Sequence, residues 1–233
     1  MLPVTDKVKV VIVVPAFNES SVIYNVLKSI PKKIRGIFLV DVVVVNDGSG
    51  DNTQSETERA GFVTVNHAIN RGLGAAIKTG MEYAKGKKAD IMVTFDGDGQ
   101  HDPSDIEKII LPIIQKKADL VIGSRFKKSK NVPLDRFFLN WSANFITFLF
   151  YGVATTDSQS GLRAFSKKAI TLIDFKGERM DFSSEILLEA KRNNLKIEEV
   201  PIRAIYTEYS RKKGQKNLNA IPTFTRFLVR LLR

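Results

Sequence analysis

The sequence predicts an α/β protein built on one open, mostly parallel sheet with helices on both faces. Three observations point there. Residues 8–14 and 42–45 are nearly continuous β-branched runs, the pattern of strands buried on both faces of a parallel sheet. Shorter apolar runs at 63–66, 91–95 and 120–122 continue the series, each set off from the next by a stretch of helical pattern. The alternation holds through the first 125 residues with no linker, low-complexity tract or internal repeat.

In chain order, the first strand runs into Pro15-Ala16-Phe17-Asn18-Glu19 and a helix over 21–30. The second runs into Asn46-Asp47-Gly48-Ser49-Gly50-Asp51 and a helix over 52–60. The third leads through Asn70-Arg71-Gly72-Leu73-Gly74 to a helix over 74–85. The strand at 91–95 ends in Asp96-Gly97-Asp98-Gly99-Gln100-His101-Asp102-Pro103, and Pro103 favours the first turn of a helix over 104–117. After the strand at 120–122 and Arg125 the rhythm changes. Residues 133–153 are a long aromatic and amphipathic stretch (Phe137, Phe138, Trp141, Phe145, Phe148, Phe150, Tyr151). Asp157-Ser-Gln-Ser-Gly161-Leu-Arg163-Ala-Phe165 reads as a polar loop then a strand, 183–193 as a helix and 196–201 as a strand. Residues 207–217 are polar, basic and expected to be mobile. Residues 220–233 read as a helix with Ile221, Phe224, Phe227, Leu228, Leu231 and Leu232 on its apolar side. The chain reads as a single domain, 1–233, whose second half builds a site on the first.

Composition narrows the chemistry. Of 233 residues, 43% are hydrophobic and 26% charged, ordinary for a globular chain with a substantial core. The absence of cysteine excludes disulfides and thiolate metal sites, and fits a reducing cytosol. With only His67 and His101, a His-rich zinc site is excluded too. A net charge of +11 implies an anionic partner: nucleic acid, an anionic membrane or a phosphorylated substrate. Basic residues crowd into 125–130 and 211–216 and recur at Arg226, Arg230 and Arg233, which favours local sites. A nucleic-acid module explains the charge but not carboxylates at strand ends, which repel a phosphate backbone, so no nucleic-acid partner is expected. The first residues lack the charged-then-apolar pattern of a secretory signal. The longest apolar stretch, 145–154, is interrupted by Thr147 and falls short of the roughly 20 residues a bilayer span needs.

Asp96 and Asp98 carry the sharpest signal. In α/β sheets ligands bind outside the C-terminal ends of the strands. Two hard oxygen ligands separated by one small residue suit Mg2+ or Mn2+, with positions left open for substrate phosphate oxygens. An Asp-Gly turn is the structural alternative. The loops at 15–19 and 46–51 stand at two more strand ends, where backbone N–H groups and side chains can hold a nucleotide, although Asn18 or Ser20 also suits a helix cap. Three such edges in one sheet make a shared ligand crevice. Other motifs fail. Residues 70–77 begin like a dinucleotide fingerprint, but Ile77 fills the third glycine position. In 72–79 the same Ile77 replaces the second glycine of a phosphate loop; Gly72 and Gly74 more simply allow tight entry into the next helix, which would set Arg71 to meet a phosphate. Asp96 to Glu107 has calcium-loop spacing, but His101 occupies the obligatory glycine position and a strand precedes it.

Together these segments resemble the family 2 glycosyltransferases with the GT-A fold, a Rossmann-like open sheet, and specifically the dolichyl- or polyprenyl-phosphate sugar transferase branch. The carriers are Val14-Pro15-Ala16-Phe17-Asn18-Glu19, Val45-Asn46-Asp47-Gly48-Ser49, Asn70-Arg71-Gly72-Leu73-Gly74, Phe95-Asp96-Gly97-Asp98-Gly99-Gln100-His101, Gly123-Ser124-Arg125-Phe126 and residues 157–165. The resemblance implies a nucleoside-diphosphate sugar donor (GDP-mannose or a UDP-sugar), a dolichyl or polyprenyl phosphate acceptor, and inversion at the anomeric carbon. It implies a nucleotide-sugar half (1–125), an acceptor half (126–218) and an amphipathic C-terminal helix (219–233). Pro15, Ala16, Phe17, Asn18, Glu19, Asp47 and Arg71 would line the nucleotide pocket. Asp96, Gly97, Asp98 and Gln100 would meet the diphosphate, with Asp96, Asp98 and Gln100 on the metal. Arg125 and Arg136 would receive the acceptor phosphate, and Asn140 stands where relatives often carry serine. Arg211 and Lys216 would lie over the diphosphate.

The chemistry suits these residue types. A phosphate monoester, with a second pKa near 6, is largely dianionic at neutral pH and attacks without a protein base. The protein must supply charge: a divalent ion for the leaving diphosphate, and arginines whose planar forks grip phosphate. Asp157 serves as a base if the acceptor is a saccharide hydroxyl; otherwise it pairs with Arg163 or fixes its loop. The aromatic stretch and the C-terminal helix read as membrane-surface helices, on an anionic membrane at its cytoplasmic face.

Overall fold

The computed structural model describes residues 8–34, 39–127, 134–177, 182–203, 205 and 209, with backbone alone for 39 and 134–139. The calls on Arg211, Lys216 and the C-terminal helix lie outside the described residues.

Seven strands form one sheet: β1 (Lys9–Ala16), β2 (Leu39–Asn46), β3 (Val63–Asn66), β4 (Ile91–Thr94), β5 (Leu120–Ser124), β6 (Arg163–Ser166) and β7 (Ile197–Pro201), in the order β3-β2-β1-β4-β6-β5-β7. The helices are α1 (Ile23–Ser29), α2 (Thr53–Arg59), α3 (Leu73–Gly86), α4 (Asp105–Ile114), α5 (Leu134–Tyr151), α6 (Lys167–Leu172) and α7 (Phe182–Arg192). The β-branched runs are the central strands. In β1, Val10, Ile12 and Val14 bury into the layer with α1 and α4, while Val11 and Val13 bury into the layer with α3, α6 and α7. A strand covered on both faces has no polar side to show, which explains its unbroken apolar sequence.

Two features differ from the expectation. The short helix α6 follows β6 directly, capped by the Ser166 hydroxyl, which accepts from the Ala169 N–H. The strand β6 is also antiparallel to both its neighbours, β4 and β5, whereas the other pairs are parallel. Thr94, the last residue of β4, therefore pairs with Arg163, the first of β6. The loop before β6 lands on the same edge as the loops that follow β1, β2, β4 and β5.

The chain leaves β1 toward β2 and β3 on one side, then returns to place β4 on the other. Such a switch point opens a crevice at the strand ends, because the flanking connections diverge to opposite faces.

No helix among the described residues is long and apolar enough to cross a membrane. In α5 the usual amphipathic order is reversed. Asn140 and Thr147 are buried, whereas Trp141, Phe145, Phe148 and Leu149 are 51% to 61% exposed. Their spacing, i, i+4, i+7 and i+8, puts them on one face, where the rings of Trp141 and Phe145 stack 5.7 Å apart.

Candidate active site

The crevice is walled on one side by two interlocked loops. Pro15 and Ala16 end β1, and Phe17 beyond them is exposed. Asn18 takes a left-handed conformation at φ 53°, which asparagine tolerates. The Asn18 N–H donates to Ser49 Oγ at 3.0 Å, and the Asn18 side-chain oxygen accepts from the Gly50 N–H at 2.9 Å. The Glu19 N–H donates to Thr53 Oγ1 and the Ser20 N–H to Asp51. Neither Asn18 nor Ser20 caps α1, whose N-cap is Val22. Burial pushes the Asp51 carboxyl up, but hydrogen bonds from Thr53 and Ser20 outweigh it and lower the group to about 2. Asp51 is the clasp between the two loops.

Asp47 is buried at the end of β2, and both of its oxygens are engaged. Oδ1 accepts from the Arg71 N–H at 3.0 Å and lies 2.7 Å from His67 Nδ1; Oδ2 accepts from the Gly72 N–H at 2.7 Å. The other His67 nitrogen lies 2.8 Å from Thr79 Oγ1. Asp47 thus ties the Arg71 segment to the crevice. Gly48 (φ +69°) must be glycine, since a Cβ there would stand 2.4 Å from the Ile69 carbonyl carbon.

Asp96 and Asp98 follow β4 at the centre of the crevice. Asp96 Oδ2 lies 3.0 Å from Nε2 of the buried His101. Burial works to raise the Asp96 carboxyl, but His101 and the Arg125 and Arg163 guanidinium groups prevail and hold it below the ordinary range. Asp98 moves the other way, raised first by burial and then by the charge on Asp96. Gln100 donates to Asp98 from both its backbone N–H and its side-chain amide, so it positions that carboxylate. Two carboxylates close enough to raise one of the pair form a donor set that a divalent cation would relieve. Among the described residues no group of three or more His, Asp or Glu is arranged for a metal. A Cβ on Gly97 would stand 3.0 Å from Ile23 Cδ1 and 3.1 Å from the Pro15 carbonyl oxygen, so this turn packs closely on the end of β1.

Arg125, just after β5, embraces Asp157 from the loop before β6. Its Nε and Nη2 donate at 2.8 Å to the two carboxylate oxygens, and its backbone N–H adds a third bond. Asp157, fully buried, pairs with Arg125 rather than with Arg163. Asn140 points inward, its amide donating to the Thr156 carbonyl at 2.7 Å, and Asn144 one turn on donates to the same oxygen. Arg136 lies in the first turn of α5, and its side chain is outside the described residues.

Three contributors escaped the sequence reading: His101, Gly161 and Arg163. Arg163 is fully buried, with its guanidinium spread over the carbonyls of Ser158, Ser160 and Ser183. Burial pulls it down to about 10, and it stays charged at neutral pH. Beyond β7, the Ile205 N–H donates to the Gln100 carbonyl, and Tyr209 donates to Glu19 Oε2 at 2.7 Å. No local pattern marks these roles, because they depend on how the loop before β6 meets the end of β4.

A sheet whose switch point presents loops 15–19 and 46–51 beside a carboxylate pair matches known proteins. Residues 11–172 match the family model described as glycosyl transferase family 2. The chain belongs to that family, and it is a glycosyltransferase. It is 44% identical over 214 residues to an uncharacterized protein of Methanocaldococcus jannaschii, covering 90% of this chain and 86% of that one. It is 40% identical over 240 residues to the UDP-N-acetylglucosamine–dolichyl-phosphate N-acetylglucosaminyltransferase of Methanococcus voltae, covering 94% of each. Within the family it groups with the dolichyl- and polyprenyl-phosphate sugar transferase branch that its sequence resembles. Among solved structures, glucosyl-3-phosphoglycerate synthase from Mycobacterium tuberculosis, in complex with Mn2+, UDP and phosphoglyceric acid, superposes with a TM-score of 0.73. That likeness, at 17% identity over 94% of this chain and 75% of that one, shows the GT-A fold alone.

Proposed function

We propose that this glycosyltransferase moves a hexose from a nucleoside-diphosphate sugar, a UDP-sugar or GDP-mannose, to a dolichyl or polyprenyl phosphate. A phosphate oxygen of the acceptor attacks the anomeric carbon as the bond to the nucleoside diphosphate breaks, so configuration inverts. The observation that carries this reading is the Asp96/Asp98 pair at the β1/β4 switch point, in a chain 40% identical to a dolichyl-phosphate sugar transferase along nearly its whole length.

Asp96 and Asp98, the latter positioned by Gln100, would hold Mg2+ or Mn2+, which when bound offsets the charge of the departing diphosphate. The two interlocked loops from Pro15 to Glu19 and from Asp47 to Asp51 shape the nucleotide pocket, and Asp47 holds the Arg71 segment beside it. Arg125 is anchored by Asp157 and stays partly exposed, so it offers a fixed positive charge without the cost of ordering a free side chain. Arg136, Arg211 and Lys216 complete the anion-binding set in this reading. The saccharide-hydroxyl alternative draws no support from Asp157, because a base needs an accessible carboxylate and this one is buried and bidentate with Arg125.

The apolar stripe of α5 supports a peripheral station at the cytoplasmic face of an anionic membrane. Trp141, Phe145, Phe148 and Leu149 present a continuous apolar face beside the acceptor side of the crevice, and the net charge of +11 favours anionic headgroups.

The test is transfer of radiolabelled sugar from nucleotide-sugars, with Mn2+ and dolichyl phosphate, into the organic phase. Label in the lipid fraction supports the reading; label on saccharide acceptors alone overturns it.

A further inference from the structure

Gly161 takes no part in the transfer proposed above, yet the Asp96 carboxylate lies directly against it. A Cβ built on Gly161 would stand 2.0 Å from Asp96 Oδ2 and 2.5 Å from both Asp96 Cγ and Oδ1. The carboxylate fills the volume a side chain would take. We infer that Gly161 is a positioning residue: its missing side chain is the seat in which the Asp96 carboxylate is held for a divalent cation. The inference rests on the metal reading proposed above.

The seat is rigid on the glycine side. The Gly161 carbonyl accepts from Thr94 Oγ1 at 2.6 Å, and the same oxygen of Thr94 accepts from the Arg163 N–H at 3.2 Å. From behind, the buried Arg163 guanidinium pins the carbonyls of Ser158 and Ser160, and the Leu162 carbonyl accepts from the Gly123 N–H at 2.9 Å. On the aspartate side the group that meets Gly161 is the end of a short side chain, with His101 Nε2 3.0 Å from its Oδ2, and a side-chain end shifts more cheaply than backbone. When a methyl group is forced between them, the carboxylate yields and the loop does not. Backbone strain is not the issue, since Gly161 is absent from the left-handed glycines. Alanine at 161 should therefore spare the fold and spoil the site.

The experiment compares wild type with Gly161→Ala. Mn2+ binding is followed by loss of the free-ion paramagnetic resonance signal in saturating UDP or GDP, and melting is followed without metal. Outer residues that orient a ligand typically account for about 10–100-fold in metal affinity. The expected result is a loss of that size with the metal-free Tm kept within about 2 °C of wild type. Equal Mn2+ affinity in both proteins overturns the inference, as does a loss of affinity matched by a large fall in Tm, which would make Gly161 a packing residue. Failure of the wild type itself to take up Mn2+ overturns the metal reading and this inference with it. A second variant, Asp96→Asn/Gly161→Ala, checks the coupling: adding the methyl to a site already lacking the Asp96 charge should cost no further affinity, and an additional loss overturns the proposed route.

Discussion

Arg125 and Asp157 meet side-on, two guanidinium nitrogens each 2.8 Å from a different carboxylate oxygen, with the aspartate sealed from solvent and the arginine still reaching it. The pair joins the end of β5 to the loop entering β6, so the charge beside Asp96 is held by the sheet itself. Removing one partner of a buried pair leaves the other uncompensated and costs about 3–5 kcal/mol. Arg125→Ala should lower stability by that order in urea titrations, and Arg125→Ala/Asp157→Asn should recover part of it. Simple additivity of the two single changes would refute the coupling.

Asp98→Ala should abolish transfer, by ~10²–10³ or more in kcat, as for loss of one group that stabilises transition-state charge. Its carboxyl is raised by burial and by Asp96, so its ionised form opposes folding when no cation is bound. The metal-free variant should melt at or above the wild-type temperature by calorimetry. A fall in Tm would make Asp98 a turn residue.

Gly48→Ala should destabilise by at least ~1–3 kcal/mol, the cost of a non-glycine residue held in the left-handed region. The Cβ would also strike the backbone of Ile69 and Asn70, which has no soft side chain to give way. An unchanged denaturant midpoint would show that this turn relaxes.

Asp51 sets a pH dependence. Its folded-state value is depressed to about 2, below the ordinary carboxylate range, so the stabilisation is complete above the unfolded value and is lost as pH falls through the folded one. Asp51→Asn should lower Tm at pH 7, and the gap to wild type should narrow between about pH 4 and pH 2. A gap independent of pH would assign the effect to packing.

Trp141→Ser/Phe145→Ser should weaken sedimentation with anionic liposomes while leaving Tm unchanged, because both rings are more than half exposed and bury little on folding. A marked drop in Tm would place these rings in the core instead.

Much of the frame was legible along the chain. Unbroken β-branched runs such as 10–14 mark strands covered on both faces, and the carboxylates after the fourth strand mark where a ligand would meet the sheet. Local pattern carries that information because burial on two faces and a strand's end are properties of consecutive residues. The direction of β6 was not legible, since period and composition are the same for a strand run either way. That direction brings Gly161 to Thr94 and Asp96, and Asp157 to Arg125, contacts spanning 32 to 67 residues. The reversed face of α5 was hidden for a related reason. Its asparagines face inward because the Thr156 carbonyl awaits them there, and which side of a helix meets the core is settled by what the rest of the chain places against it. Sequence alone determined the layers and the acidic strand end; only tertiary pairing, acting between residues far apart in the chain, decided which groups surround it.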